Sequence, residues 1–226
     1  MSPYLDLPLV EQAILTVAAL VLVSSFALLA QSRVVATIHI FAWQGVLLAT
    51  GSVLVAWSTG ETHLYLSAAL TLMLKTAFIP WLLVRQARRL GILKEFDAVM
   101  RPGVTLLAGG ALVIFCYGVA QPLGAYAEGT TRDAIALSLA VVMLSMLMLV
   151  TRRKALTQVI AFMALENGMF FAAITATRGM PMIVELGIAF DVLVAAIIFG
   201  IFFFHIRDSI ESLDIEQLNR LSENEP

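Results

Sequence analysis

Seven apolar runs, at about 12–31, 36–57, 64–85, 103–121, 134–150, 155–177 and 182–206, limit what this chain can fold into. A helix needs roughly 20 apolar residues to cross a ~30 Å hydrocarbon layer. Inside that layer every backbone N–H and C=O must find a partner within the protein, and a helix supplies those partners from its own segment. The expected fold is therefore all-α: a polytopic membrane protein with seven transmembrane helices. Composition agrees, since 60% of the 226 residues are hydrophobic and 13% charged, against about 25% charged in a typical soluble domain. The N-terminus, MSPYLDLPLVEQ, lacks the basic stretch of a cleavable leader, so the first run is expected to be a permanent span. The single cysteine, Cys116, sits inside an apolar run and reads as a small buried hydrophobe. One cysteine excludes an intrachain disulfide and a cysteine-clustered metal or iron–sulfur site.

The basic residues set the expected orientation. With seven spans, one side of the membrane receives Arg33, Arg85, Arg88, Arg89, Lys94, Arg101, Arg152, Arg153, Lys154, Arg207 and Arg220, and the other only Arg132 and Arg178. The positive-inside rule then puts the N-terminus outside and the C-terminus in the cytoplasm. Along the chain the expected division is a four-helix part, 1–125, a three-helix part, 132–207, and a cytoplasmic tail, 208–226. The connections are short except for the basic segment Arg85 to Pro102, which suits a surface helix. The tail is acidic and amphipathic, fitting either a solvated helix or a docking segment. An offset of 122 residues sets Gln44 opposite Glu166 and Arg85 opposite Arg207. Few other positions agree, so this is a topological parallel and no more.

Charges inside apolar runs are costly and mark ion paths or buried pairs. Counting from Gly179, at the turn Arg178 to Pro181, Glu166 lies thirteen residues back and Asp191 twelve forward. At about 1.5 Å per residue both carboxyls come to a depth of roughly 18 to 20 Å, near mid-membrane. Facing each other, they would titrate as one coupled pair. Lys75 is the third such charge. Pro80, five residues on, frees the carbonyl of Thr76 and predicts a bend beside the lysine. Such a lysine either lines a hydrated path or pairs with a carboxylate of this chain or a neighbour.

Four weaker candidates complete the set. His205 returns to within about 40° of the Asp191 face near the cytoplasmic end, where an interfacial histidine is the plainer reading. Glu185 points about 120° away from Asp191, toward another helix or an outer entrance. Gln44 and His39, on the second run, each suit a helix-to-helix hydrogen bond. The chain has no Gly-rich phosphate loop, no His-Glu-x-x-His and no haem-attachment motif. Bond chemistry of its own is therefore not expected.

The segments ALENGMFF and MPMIVELGIAFDVLVAAIIFGIFFFHI, with the basic stretch RQARRLGILKEFDAVMRP, resemble the E subunit of hydrogenase-4 and related formate hydrogenlyases. These are membrane-bound NiFe hydrogenases of the complex I superfamily. The last three spans are similar to the K subunit of complex I and the C subunit of multisubunit cation/proton antiporters. What the resemblance implies for the sites is a role for Glu166, in LENG, as the second-helix glutamate of the membrane arm's polar axis, with Asp191 as the third-helix acid. Lys75, in LKTA, resembles the lysines of antiporter-like subunits.

By the same resemblance the chain is a subunit in the inner (cytoplasmic) membrane, contributing to proton or sodium translocation coupled to hydrogen redox chemistry. It would hold no cofactor; the NiFe centre and iron–sulfur clusters belong to partners. Those partners are antiporter-like membrane subunits, a membrane anchor subunit and peripheral hydrogenase subunits, in a lipid bilayer and without nucleic acid. Two other readings stay open: an independent small-ion secondary transporter, and a structural scaffold whose buried charges fix helix register.

Overall fold

Six helices long and apolar enough to cross a membrane make up the described part of the molecule. The structure, a computed structural model, describes residues 8–89, 102–122 and 129–177, with isolated helical positions between 187 and 197. The elements are α1 (Leu9–Ala30), α2 (Val34–Thr59), α3 (His63–Thr71), a π-helical segment (Leu72–Phe78), α4 (Ile79–Arg89), α5 (Pro102–Ala120), α6 (Gly129–Thr151) and α7 (Ala155–Ala176). Among the described residues every element is helical. The third span is continuous through α3, the π segment and α4. All six spans lie in one unit, Met1–Ala189; a second unit begins at Phe190, and a few helical residues of it are described.

The first six expected spans coincide with these helices to within a few residues. Of the seventh, only isolated positions are described; the turn at Arg178 to Pro181, Lys94, Arg101 and the tail lie outside the described residues. One boundary differs in kind. The apolar pattern ends the third span at Arg85, but α4 runs on to Arg89, so Arg85 and Arg88 of the basic segment stand exposed on a helix. Apolar content marks where hydrocarbon ends; the backbone continues into the interface because its own hydrogen bonds still hold it.

Beside Lys75, where Pro80 predicts a bend, the helix is a π-helical segment. Pro80 has no N–H to return to Thr76, and the N–H of the residue before it, Ile79, reaches back five residues to the Leu74 carbonyl. Such wide turns accommodate an extra residue inside a helix and re-aim its side chains.

Short connections make neighbouring helices antiparallel. α1 packs on α2, α5 and α6, while α2 also meets the third span and α7, and α6 lies along α7. The result is two rows, α1–α2–third span and α5–α6–α7, laid against each other. Their shared apolar interior includes Val21, Leu48, Val55, Leu64, Val141, Phe170, Phe171 and Ile174. Between helices in lipid, close packing and interhelical hydrogen bonds hold the bundle, because lipid tails are as apolar as leucine. Outside, Val23, Leu107, Ile114 and Val150 are exposed, as side chains that face lipid are. Trp57 and Tyr65 stand exposed at one end of the bundle, and Trp81 near the other, with the Arg85 guanidinium 5.3 Å from its ring. Amphipathic rings at both ends are the interface pattern of a membrane protein.

The end opposite the Trp57–Tyr65 turn is pinned by Arg152, which sits between α6 and α7. Its Nη2 donates to the carbonyl oxygens of Leu29 at 2.8 Å and Gln31 at 2.7 Å, the open C-terminal carbonyls of α1. Gln158 Nε2 donates in turn to the Arg152 carbonyl at 2.9 Å. A cation at a helix C-terminus also opposes the negative end of the helix dipole. Burial pushes the Arg152 guanidinium down from its ordinary range, though an arginine keeps its charge at neutral pH.

Candidate functional site: a buried ion pair on a chain of amides

The site is built where the π segment, α2 and α7 converge. Lys75 is carried by the π segment near the middle of the third span, and Glu166 and Asn167 stand midway along α7. The π segment approaches α2 closely because residue 45 is glycine. A β-carbon there would lie 2.9 Å from Thr76 Oγ1 and 3.2 Å from Lys75 Cβ. This proximity brings the lysine stem past α2 to α7, where Lys75 Nζ forms an ion pair with Glu166 Oε2. It also donates to Asn167 Oδ1 at 2.7 Å.

From Asn167 the hydrogen bonds continue across the bundle. Asn167 Nδ2 donates to Gln44 Oε1 at 3.1 Å, and Gln44 Nε2 donates to Ser25 Oγ at 2.9 Å. Ser25 Oγ donates to the Val21 carbonyl of its own helix at 3.0 Å. Every side chain in the chain is buried: Gln44 and Asn167 are 0% exposed, Lys75 1%, Ser25 3% and Glu166 5%. The Phe170 ring, one turn from Glu166, lies 5.9 Å from the ammonium. Gly187 flanks the carboxylate: a β-carbon on it would be 3.9 Å from Glu166 Oε1 and 2.8 Å from Phe170 Cδ2. Oε2 thus engages Lys75, and Oε1 is turned toward the glycine.

Chemically, this is a pair of opposite charges taken out of water. Desolvation penalises each charged form while the partner's charge favours it, and the balance is set by geometry and by hydrogen bonds to the remaining protons and lone pairs. Such a pair can change its protonation state when a third charge arrives, and it can equally lock helices in register.

At the Trp57–Tyr65 end the bundle opens into a cavity of about 530 Å³ between the termini of α1, α2, α6 and α7. Glu11, Glu61, Ser58, Thr59, Thr130 and Thr175 are among its lining residues, so its surface is rich in carboxyl and hydroxyl groups. Val55 lines it too and belongs to the apolar cluster with Phe170, Phe171 and Ile174. An apolar layer therefore separates this vestibule from the ion pair.

Of the residues singled out in the sequence, the structure brings Glu166, Lys75 and Gln44 into one cluster. His39 is exposed on α2, away from it. Asp191, Glu185 and His205 lie outside the described residues. Two members were not singled out. Asn167 is the neighbour of Glu166 in LENG, and a polar residue beside a mid-span acid is a usable signal. Ser25 carries no signal of its own, because a serine is commonplace in an apolar span.

Comparison with known proteins gives distant relatives. No family model matches the chain, and no solved structure matches it significantly. The uncharacterized protein Rv0085 of Mycobacterium tuberculosis is 29% identical over 187 residues, 82% of this chain and 85% of that protein. Hydrogenase-4 component E of Escherichia coli K12 is 25% identical over 159 residues, 70% of this chain and 74% of that protein. The component E of Shigella flexneri gives the same figures. The chain is distantly similar to hydrogenase-4 component E.

Proposed function

We propose that this chain is a membrane-arm subunit of a hydrogenase-4-like complex, in which the Lys75–Glu166 pair couples hydrogen redox chemistry to the movement of protons or sodium ions. The observation that carries this reading is the ion pair itself: a lysine and a glutamate from helices distant in sequence, both buried, meeting near mid-span. The distant likeness to hydrogenase-4 component E supplies the setting. In that setting the membrane is the inner (cytoplasmic) membrane, with the N-terminus outside and the C-terminus in the cytoplasm. NiFe and iron–sulfur centres reside in peripheral partner subunits, and antiporter-like and anchor subunits flank this chain. Asp191, in the expected seventh span, is the next acid of the proposed path.

The geometry of the pair suits transfer. A lysine and a glutamate in contact form a neutral unit, so the pair is tolerable in a low-dielectric interior until a proton or a neighbouring charge unbalances it. Purifying the assembly through a tag on this chain, with Glu166 native and with Glu166→Gln, tests the reading. Hydrogenase subunits are expected to copurify with both, with hydrogen-linked redox activity retained and ion movement lost in the variant. Absence of hydrogenase subunits from the native preparation would favour an independent transporter.

A scaffold role is the second reading, and one observation favours it: the same hydrogen bonds tie α1, α2, the third span and α7 together. Interhelical polar contacts of this kind stabilise membrane bundles by about 0.6 to 2 kcal/mol each. Under that reading Glu166→Gln loses assembly along with activity.

A further inference from the structure

The hydrogen-bond chain has a polarity, and its two ends determine it. At one end the Lys75 ammonium can only donate; at the other the Val21 carbonyl can only accept. Between them run one hydroxyl and two primary amides, each of which must take a bond at its oxygen and give one onward. With Ser25 donating to Val21, Gln44 must present its NH2 to Ser25 and its oxygen to Asn167. Asn167 must then present its NH2 to Gln44 and its oxygen to Lys75. Reversing the amides would aim an NH2 group at the ammonium.

Primary amides do not exchange protons under these conditions, so the chain is no path for a proton. It is an acceptor aimed at Lys75 and held in place from two helices away. Aligned hydrogen bonds in a low-dielectric interior polarise and strengthen one another. We propose that Ser25, Gln44 and Asn167 act as positioning residues that hold Lys75 as a fixed ammonium, so that Glu166 alone takes up and releases the transported proton. The inference rests on the reading of Glu166 as a proton carrier and assigns the work within the pair.

In this division Glu166 keeps Oε2 on Lys75 and exchanges its proton at Oε1, the oxygen turned toward Gly187. The proton comes from water or a neighbouring acid on that side and returns to one. Among the described residues Lys75 is the charged side chain facing Glu166. α2 presents Gln44, and Arg132 and Asp133 of α6 stand in its first turns, bonded to each other. Glu185 and Asp191, of the expected seventh span, lie outside the described residues.

Infrared difference spectra of the full chain in lipid nanodiscs, taken across a pH series, test this. The carboxylic C=O band of Glu166 is identified by its loss in Glu166→Gln. Ser25→Ala and Gln44→Leu are expected to displace the midpoint of that band by up to about one pH unit, the scale of the Asn167 hydrogen bond to the ammonium that these two side chains hold in place. Ser25→Thr, which keeps the hydroxyl, should titrate like the native chain. So should Ser52→Ala, which removes another buried serine hydroxyl, one bonded to the Leu48 carbonyl outside this chain. Midpoints in Ser25→Ala and Gln44→Leu that coincide with the native one overturn the proposal, as does a Glu166 band that never titrates. Coincident midpoints alongside loss of ion movement in Glu166→Gln would sink this inference alone. Retained ion movement in Glu166→Gln would sink the coupling reading instead.

Discussion

Lys75 is nearly inaccessible, and its stability depends on a carboxylate supplied from a position 91 residues away. Removing one member of such a pair leaves the other charge buried and alone, which costs about 3 to 5 kcal/mol where the pair is well formed. Lys75→Ala is therefore expected to lower the thermal midpoint of the purified protein far more than Ser52→Ala, as read by temperature-dependent aggregation in detergent. Glu166 and Lys75 were both legible in the sequence, because a charge within an apolar run stands out whatever its neighbours. Ser25 was not legible, and Gln44 only as an isolated polar group. An uncharged polar side chain in a span has many satisfactory fates, including a bond to its own helix such as Ser52 makes. What joins Ser25, Gln44 and Asn167 is the facing of three helices, which no single helix encodes.

At the level of elements, the spans themselves could be read directly, since hydrocarbon thickness dictates their length. Which helix touches which could not, because helices apolar all round carry no stripe to point inward. The close approach of α2 to the π segment is a case in point: Pro80 predicts a bend, but the depth of contact depends on Gly45. Gly45→Val is expected to push the π segment off α2, costing about 1 to 3 kcal/mol as overpacking does, and to weaken coupled turnover more than Gly45→Ala. Comparing thermal midpoints and ion movement for the two variants checks this. Arg152 is the corresponding case at the helix ends. In the sequence it is one of many basic residues, yet its guanidinium closes the C-terminus of α1. Arg152→Gln leaves two carbonyls short of a charged donor and is expected to cost about 2 to 3 kcal/mol. Faster proteolysis at the α1–α2 turn would report it, and an unchanged cleavage rate would count against the cap.

For the whole molecule, the proposed function makes this chain, with its buried ion pair midway along the spans, one part of a larger membrane machine. A lone pair is too short to cross a bilayer, and the apolar layer containing Phe171 and Val55 separates it from the vestibule. Further groups must complete any path. Relay and scaffold make opposite demands on the pair, and replacing both members at once separates them. Buried ion pairs exchanged for apolar residues of similar volume often leave stability unchanged or raise it. The decisive measurement is ion movement per hydrogen-linked electron pair in membrane vesicles carrying the Lys75→Met, Glu166→Leu double variant. The expected result is an assembled complex with native redox activity and no ion movement. An assembled double variant that still moves ions at the native ratio would contradict the coupling role of the pair.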